Sequence, residues 1–278
     1  MKTEEKIVLE RIATQVRMGV IEGVFNAKSG HPGGSLSAAD ILTYLYFKQM
    51  NIDPENPRMA ERDRLVLSKG HAAPVLYSVL ANRGFFDTEM LKTLRHMDSI
   101  LQGHPDMKKI PGVDMSSGSL GQGISAAVGM ALSAKHFGND YKVYTILGDG
   151  EIEEGQVWEA AMFASHKKLN NLTVIVDNNN LQIDGSIDEV NSPYPIDEKF
   201  RAFGFEVAVI NGNDLDEIDA AFAKVGTFDK PYAIIANTVK GKGVSFMENQ
   251  VGWHGSAPNE EQYNTAMAEL KAKLEQLQ

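Results

Sequence analysis

Residues 142–185 constrain the fold more than any other stretch. They read KVYTILGDGEIEEGQVWEAAMFASHKKLNNLTVIVDNNNLQIDG. KVYTIL (142–147) and LTVIV (172–176) are short apolar runs rich in β-branched residues, which predicts two buried strands. Between them, 153–168 has helix-forming composition, with Val157, Ala160, Ala161 and Ala164 as its apolar positions. After the first strand, Gly148-Asp149-Gly150 predicts a tight turn in which glycine supplies backbone angles other residues avoid. Asp177, Asn178, Asn179 and Asn180 follow the second strand. The unit is therefore strand–helix–strand, with oxygen-bearing side chains at the C-terminal tip of each strand. Ligands bind at that edge of open α/β sheets.

Asp149 and Asn179 are 30 positions apart, yet both should leave the same edge of neighbouring parallel strands. A carboxylate, an amide oxygen and a backbone carbonyl are hard ligands. They suit Mg²⁺, with Ca²⁺ or Mn²⁺ as substitutes, bridging to a phosphate. The chain has no cysteine, which excludes disulfides, zinc thiolates and a cysteine nucleophile.

GDG followed about thirty residues later by NN resembles the thiamine diphosphate signature. GDG-x3-EG continuing to DNN-x4-DG is the version similar to transketolase. That resemblance implies Asp149, the Asn179 side chain and the Leu181 carbonyl as Mg²⁺ ligands, with Gly148 and Gly150 beside the diphosphate. One departure is Asn180, where the family often carries glycine.

The rest of the chain extends the pattern. A long amphipathic helix is expected over 4–27, ending at KSGHPGGS (28–35), where three glycines and a proline argue against helix. His31 is then a loop residue, and Ser37 a candidate N-cap for a helix to about residue 50. RLVLS (64–68) is a strand leading to Lys69-Gly-His71, and 74–82 is a helix. His104 lies in GHPD. SSGSLGQG (116–123) feeds a helix to about residue 137, a natural approach for an anion or a flat ring. Residues 184–197 read as loop. A strand (205–210), a helix (214–225), a strand (231–238) and a last helix (259–277) complete the order, with Lys240-Gly-Lys242 as a spot for one small anion and His254 in a glycine-rich loop. This order predicts one doubly wound α/β domain over 1–278, a mostly parallel sheet with helices on both faces.

Of seven histidines, His31, His71, His104 and His254 fall in glycine-containing loops. KSGHPG, LSKGHA, GHPD, GSLGQG and WHGSAP occur in transketolase order, so the resemblance covers nearly the whole chain. It implies that His71 contacts the diphosphate, and that His31, His104 and His254 contact donor substrate, with His254 also close to the cofactor. Gly118 and Leu120 would pack on the cofactor rings. Glu154 would lie at the interface between paired active sites.

The resemblance also sets an expectation about assembly. Whole transketolases follow this diphosphate-binding domain with a pyrimidine-binding domain, which supplies a glutamate to the cofactor, and a C-terminal domain. Here the expectation is one subunit of a split enzyme, completed by a C-terminal partner chain, two of each in a heterotetramer. The expected reaction is transfer of a two-carbon ketol unit between sugar phosphates of the pentose phosphate pathway. The alternatives are a transketolase for an unusual catabolic sugar, and the alpha-type chain of another two-chain thiamine diphosphate enzyme such as a 2-oxo acid dehydrogenase component. A net charge of −10 without a basic cluster speaks against nucleic acid. No apolar run reaches membrane-spanning length and the N-terminus is charged, so the expected location is cytoplasmic.

Overall fold

The computed structural model describes residues 1–277. One sheet contains β1 (Arg64–Leu67), β2 (Val143–Gly148), β3 (Leu172–Asn178), β4 (Glu206–Asn211) and β5 (Tyr232–Asn237). Its order is β1-β2-β3-β5-β4, and every neighbouring pair is parallel. The doubly wound expectation holds, with the sheet wholly parallel.

The helices are α1 (Thr3–Ala27), α2 (Pro32–Ser37), α3 (Ala39–Tyr44), α4 (Ala73–Arg83), α5 (Gln122–Phe137), α6 (Gly155–His166), α7 (Ile187–Asn191), α8 (Ile196–Ala202), α9 (Leu215–Phe222) and α10 (Glu260–Gln276). They cover both faces of the sheet. Tyr144, Ile146, Ile175 and Ile234 pack on one side with α1, α3, α4 and α9. Val143, Leu147, Val174, Val176 and Ile235 pack on the other with α5, α6 and α8. Alternate residues of each strand thus enter opposite cores, which is why the strands read as unbroken apolar runs rather than alternating ones.

Two expectations need correction. PGGSLS, read as a helix-breaking loop, is helix α2. Pro32 opens it, where the missing N–H costs nothing, and the glycines serve close packing. A Cβ on Gly33 would stand 2.8 Å from the Trp253 carbonyl oxygen. His31 is accordingly the residue before a helix, and Ser37 ends α2 instead of capping the next helix. Likewise, 184–197 is not plain loop but contains α7 and the start of α8. The local signal is Ser186-Ile-Asp-Glu189, a capping box with both reciprocal bonds present.

A buried ion pair ties the helical layer to the loop after β5. Arg17 donates to both oxygens of Asp40, at 2.9 and 2.7 Å, and its Nε donates to the Lys242 carbonyl at 2.9 Å. The loop carrying Lys240 is thus pinned from α1. No helix among the described residues is long and apolar enough to cross a membrane.

Candidate functional site

The C-terminal ends of β1, β2, β3 and β5 border one cavity of about 320 Å³. Register brings their tips side by side, Gly148 opposite Asp177 and Asn178 opposite Asn237. Lys69 follows β1, Asp149 follows β2, Asp177 lies within β3 with Asn179 just beyond, and Thr238 and Lys240 follow β5.

Asp177 is the fully buried hub of this edge. Its carboxylate accepts from Lys69 Nζ, Ser37 Oγ at 2.6 Å, Thr238 Oγ1 and Asn179 Nδ2 at 3.3 Å. Burial would raise its pKa, but Lys69 and the hydroxyl donors hold it below the ordinary carboxylate value. Lys69 Nζ also donates to the Gly34 carbonyl at 2.7 Å, so one ammonium joins three elements. The bond from Asn179 Nδ2 to Asp177 decides which end of that amide is the oxygen.

Asp149 is only 3% exposed and has no ion-pair partner among the described residues. Burial and the charge of Asp177 push it up to about 7, against the pull of the Asn180 and Gly150 amides that donate to it at 2.6 and 2.9 Å. Such a carboxylate suits a cation. No trio of His, Cys, Asp or Glu converges to hold one among the described residues, so a metal here would depend on amide and backbone oxygens. The Leu181 carbonyl accepts from Lys240 Nζ at 2.8 Å.

The glycines of GDG differ from expectation. Neither Gly148 nor Gly150 has a positive φ. What Gly150 supplies is space: a Cβ there would come 3.2 Å from Gln182 Cγ, at the cavity wall. Asn180, by contrast, has φ 64. Asparagine tolerates that left-handed conformation, so it serves where glycine would.

Three loop histidines form a triangle in the cavity wall. Ring centroids are 5.1 Å apart for His31 and His71, 5.5 Å for His31 and His254, and 5.4 Å for His71 and His254. Burial lowers them to about 4 (His31), 2 (His71) and 3 (His254), helped by neighbouring Lys69, Lys240 and Arg95. All three are neutral at pH 7. Lys240 Nζ lies 3.0 Å from His254 Nδ1. Burial brings Lys240 down to about 8, so it is still mostly charged at neutral pH. An ammonium only donates, so His254 Nδ1 accepts and Nε2 carries the proton.

Of the residues singled out from sequence, His31, His71, Gly118, Leu120, Gly148, Asp149, Gly150, Asn179, Leu181 and His254 all line this cavity. Two do not. His104 is exposed at the rim, its ring 3.2 Å from where a Cβ on Gly118 would be. Glu154 is exposed in front of α6, packed on Gly121. Sequence reasoning missed Glu151, which is 2% exposed. It accepts from Ser68 Oγ, from the Gly121 amide at 2.9 Å and from the Gly148 amide at 3.1 Å. It thereby joins the loop before α5 to the tip of β2. Burial raises its pKa against those bonds. Also passed over was the Lys69–Asp177 pair, whose signal was a charge set directly against each apolar strand.

Residues 8–275 match the family model described as Transketolase, thiamine diphosphate binding domain. The chain belongs to the transketolase family. It is a thiamine diphosphate-binding transketolase subunit, an enzyme of the transferase class. It is 46% identical to the 6-deoxy-6-sulfo-D-fructose transketolase subunit SqwG of a Clostridium species, over 97% of this chain and 98% of that one. It is 42% identical to an apulose-4-phosphate transketolase subunit from Phocaeicola vulgatus, over 97% of this chain and 96% of that one. The solved transketolase of Campylobacter jejuni superposes with a TM-score of 0.90 at 34% identity, over all of this chain but 46% of that one. The chain thus spans nearly the full length of a separately encoded transketolase subunit. Of a transketolase of the longer kind it spans about half.

Proposed function

We propose that this chain is the cofactor-holding subunit of a two-chain transketolase that moves a two-carbon ketol unit from a ketose with an anionic tail to an aldose. The observation that carries the reading is the convergence of Asp149, Asn179, the Leu181 carbonyl and three neutral histidines on one cavity. Bound thiamine diphosphate supplies the carbanion chemistry that breaks and remakes the carbon–carbon bond. Asp149, Asn179 Oδ1 and the Leu181 carbonyl would hold Mg²⁺ against the diphosphate, leaving Lys240 to neutralise a further phosphate oxygen. His71 would face the diphosphate, Gly118 and Leu120 the cofactor rings. His31, His104 and His254 would hold substrate hydroxyls. A neutral imidazole can donate and accept at once, so it can orient a hydroxyl and move its proton. Glu154 would meet a neighbouring subunit.

The names of the relatives favour the unusual-sugar alternative over the pentose phosphate reading. One carries a sulfonated fructose in its name and the other a branched sugar phosphate. Both names describe anionic sugars. A second chain with the pyrimidine-binding domain would complete the site, with two copies of each chain the expected assembly. The test is reconstitution with the partner subunit, thiamine diphosphate and Mg²⁺, with 6-deoxy-6-sulfo-D-fructose, apulose 4-phosphate and xylulose 5-phosphate as competing donors. We expect transfer only with both chains, and faster from one of the first two. Preference for xylulose 5-phosphate would return the protein to the pentose phosphate pathway. Turnover by this chain alone would refute the two-chain reading.

A further inference from the structure

His31 and His104 come from loops far apart in sequence, and one side chain lies against both loops. Arg95 Nη1 donates to Ser29 Oγ at 3.0 Å, two residues before His31. The same guanidinium lies over Gly103, the neighbour of His104, where a Cβ would stand 3.1 Å from Arg95 Cζ and Nη2. His104 in turn rests on Gly118 in the cavity wall.

Arg95 is held there at some cost. Its φ is 59, the left-handed region that a long side chain normally avoids. The turn is closed by its amide, which donates to the Leu101 carbonyl at 2.8 Å. Backbone of this kind persists only where the surroundings over-determine it, and it collects at functional sites. Arg95 has no carboxylate within ion-pair distance among the described residues, unlike Arg17, Arg62, Arg64 and Arg201. Its Nε is buried with no partner, as is His31 Nδ1. Loop stability alone would be better served by a neutral side chain or an added acid.

We propose that Arg95 is a positioning residue that clamps the His31 loop to the His104 loop and sets the gap in which the two imidazoles receive substrate. The proposal rests on the reading that these histidines face the sugar. An uncompensated cation suits the task, because it also discourages protonation of both rings. Arg95 lies next after burial among the causes that lower His31, ahead of His104 and Lys240. His31 also faces His71 and His254. For the exposed His104, the partial desolvation of its ring and then Arg95 are the causes of the lowered pKa.

Two variants test the clamp. In the full chain, the His104 imidazole resonance, identified with His104→Gln, is titrated by NMR. It should titrate below the ordinary histidine value, and Arg95→Met should move it up toward about 6.5. In the reconstituted enzyme, Arg95→Met should lower kcat/KM about tenfold to a hundredfold through misplaced groups, with thiamine diphosphate affinity unchanged. Arg95→Lys keeps the charge without the fork. It should leave the titration and the acid limb of the pH–rate profile near wild type while kcat/KM stays reduced. An unmoved His104 titration in Arg95→Met overturns the proposal. So does full recovery of kcat/KM by Arg95→Lys, which would mean that charge alone matters. Should Arg95→Met not fold, Arg95→Lys decides by its kcat/KM. The titration needs neither partner nor sugar, so failure of the transfer reaction refutes the assigned function separately from the clamp.

Discussion

Asp149 in the cavity and His104 at its rim are held by different kinds of structure. Asp149 is buried, bonded by two backbone amides, and carried on the tip of an inner parallel strand. His104 is exposed and stands on a loop whose neighbouring loop reaches it through Arg95. The strand-tip end is built from a register of β1, β2, β3 and β5 that cannot slip without exposing a core face. The loop end can change length and sequence at little cost to the sheet. The first end is thus fixed by the sheet, while the second depends on side-chain contacts such as that of Arg95 with Ser29. Two relatives match this domain along nearly its whole length, and their names carry different sugars.

The comparison can be broken at its rigid end first. Asp149→Ala in the reconstituted enzyme should weaken thiamine diphosphate binding with Mg²⁺ by more than about a hundredfold, the upper cost of losing an outer-shell partner. Calorimetry checks this, and the melting temperature should hold. Unchanged affinity would remove the strand tips from cofactor binding. Lys69→Met comes next. It strands the fully buried Asp177 carboxylate, and breaking a buried pair in this way costs about 3–5 kcal/mol. A thermal melt should show a fall of roughly 10 °C, at about 2–4 °C per kcal/mol for a chain of this size. An unmoved melt would mean the hub is not what holds these strand tips in register.

A smaller effect sharpens the contrast between the two ends. His31, His71 and His254 have folded pKa values of about 4, 2 and 3, below the ordinary 6.5. Between those values the unfolded chain binds protons that the folded chain does not. Stability is therefore complete above about pH 6.5 and declines as pH falls below it. Asp149, raised to about 7, acts in the opposite sense over the same window, since there the folded state binds the extra proton. Asp114, raised to about 6, and the raised Asp63 and Glu151 act in the sense of Asp149, while the lowered His104 acts with the triangle. The triangle's own share is read by comparing the wild type with His71→Gln: between pH 7 and 5 the wild type should lose more stability, because only its unfolded chain gains a proton at position 71. An equal loss in both would mean that the histidine triangle opens before it protonates.

Much of this was legible from particular residues. GDG and DNN, each after a β-branched run, located the sheet edge that carries the cavity, because a strand's direction decides where its last residues emerge. The four glycine-flanked histidines were legible as a set, and three of them meet. Other parts were not. PGGSLS looked like a breaker because glycine and proline have weak helix propensity, yet the Gly33 contact with Trp253 required a glycine and the surrounding core supplied the helix. Gly148 and Gly150 were expected to shape the turn with special backbone angles; the turn is there at 149–150, but neither glycine has a positive φ, and of the two only Gly150 sits where a Cβ would crowd a neighbour.

Local order alone determined the α/β alternation, the cavity's edge of the sheet and most of the cavity's lining. These follow from periodicity and from short motifs whose parts are near neighbours in the chain. The tertiary structure decided which charges meet. Lys69 and Asp177 are 108 positions apart, and Ser29 and Arg95 are 66 apart. Nothing local in either sequence neighbourhood encodes the partner, because such pairs form only when sheet register and loop closure bring the backbones together.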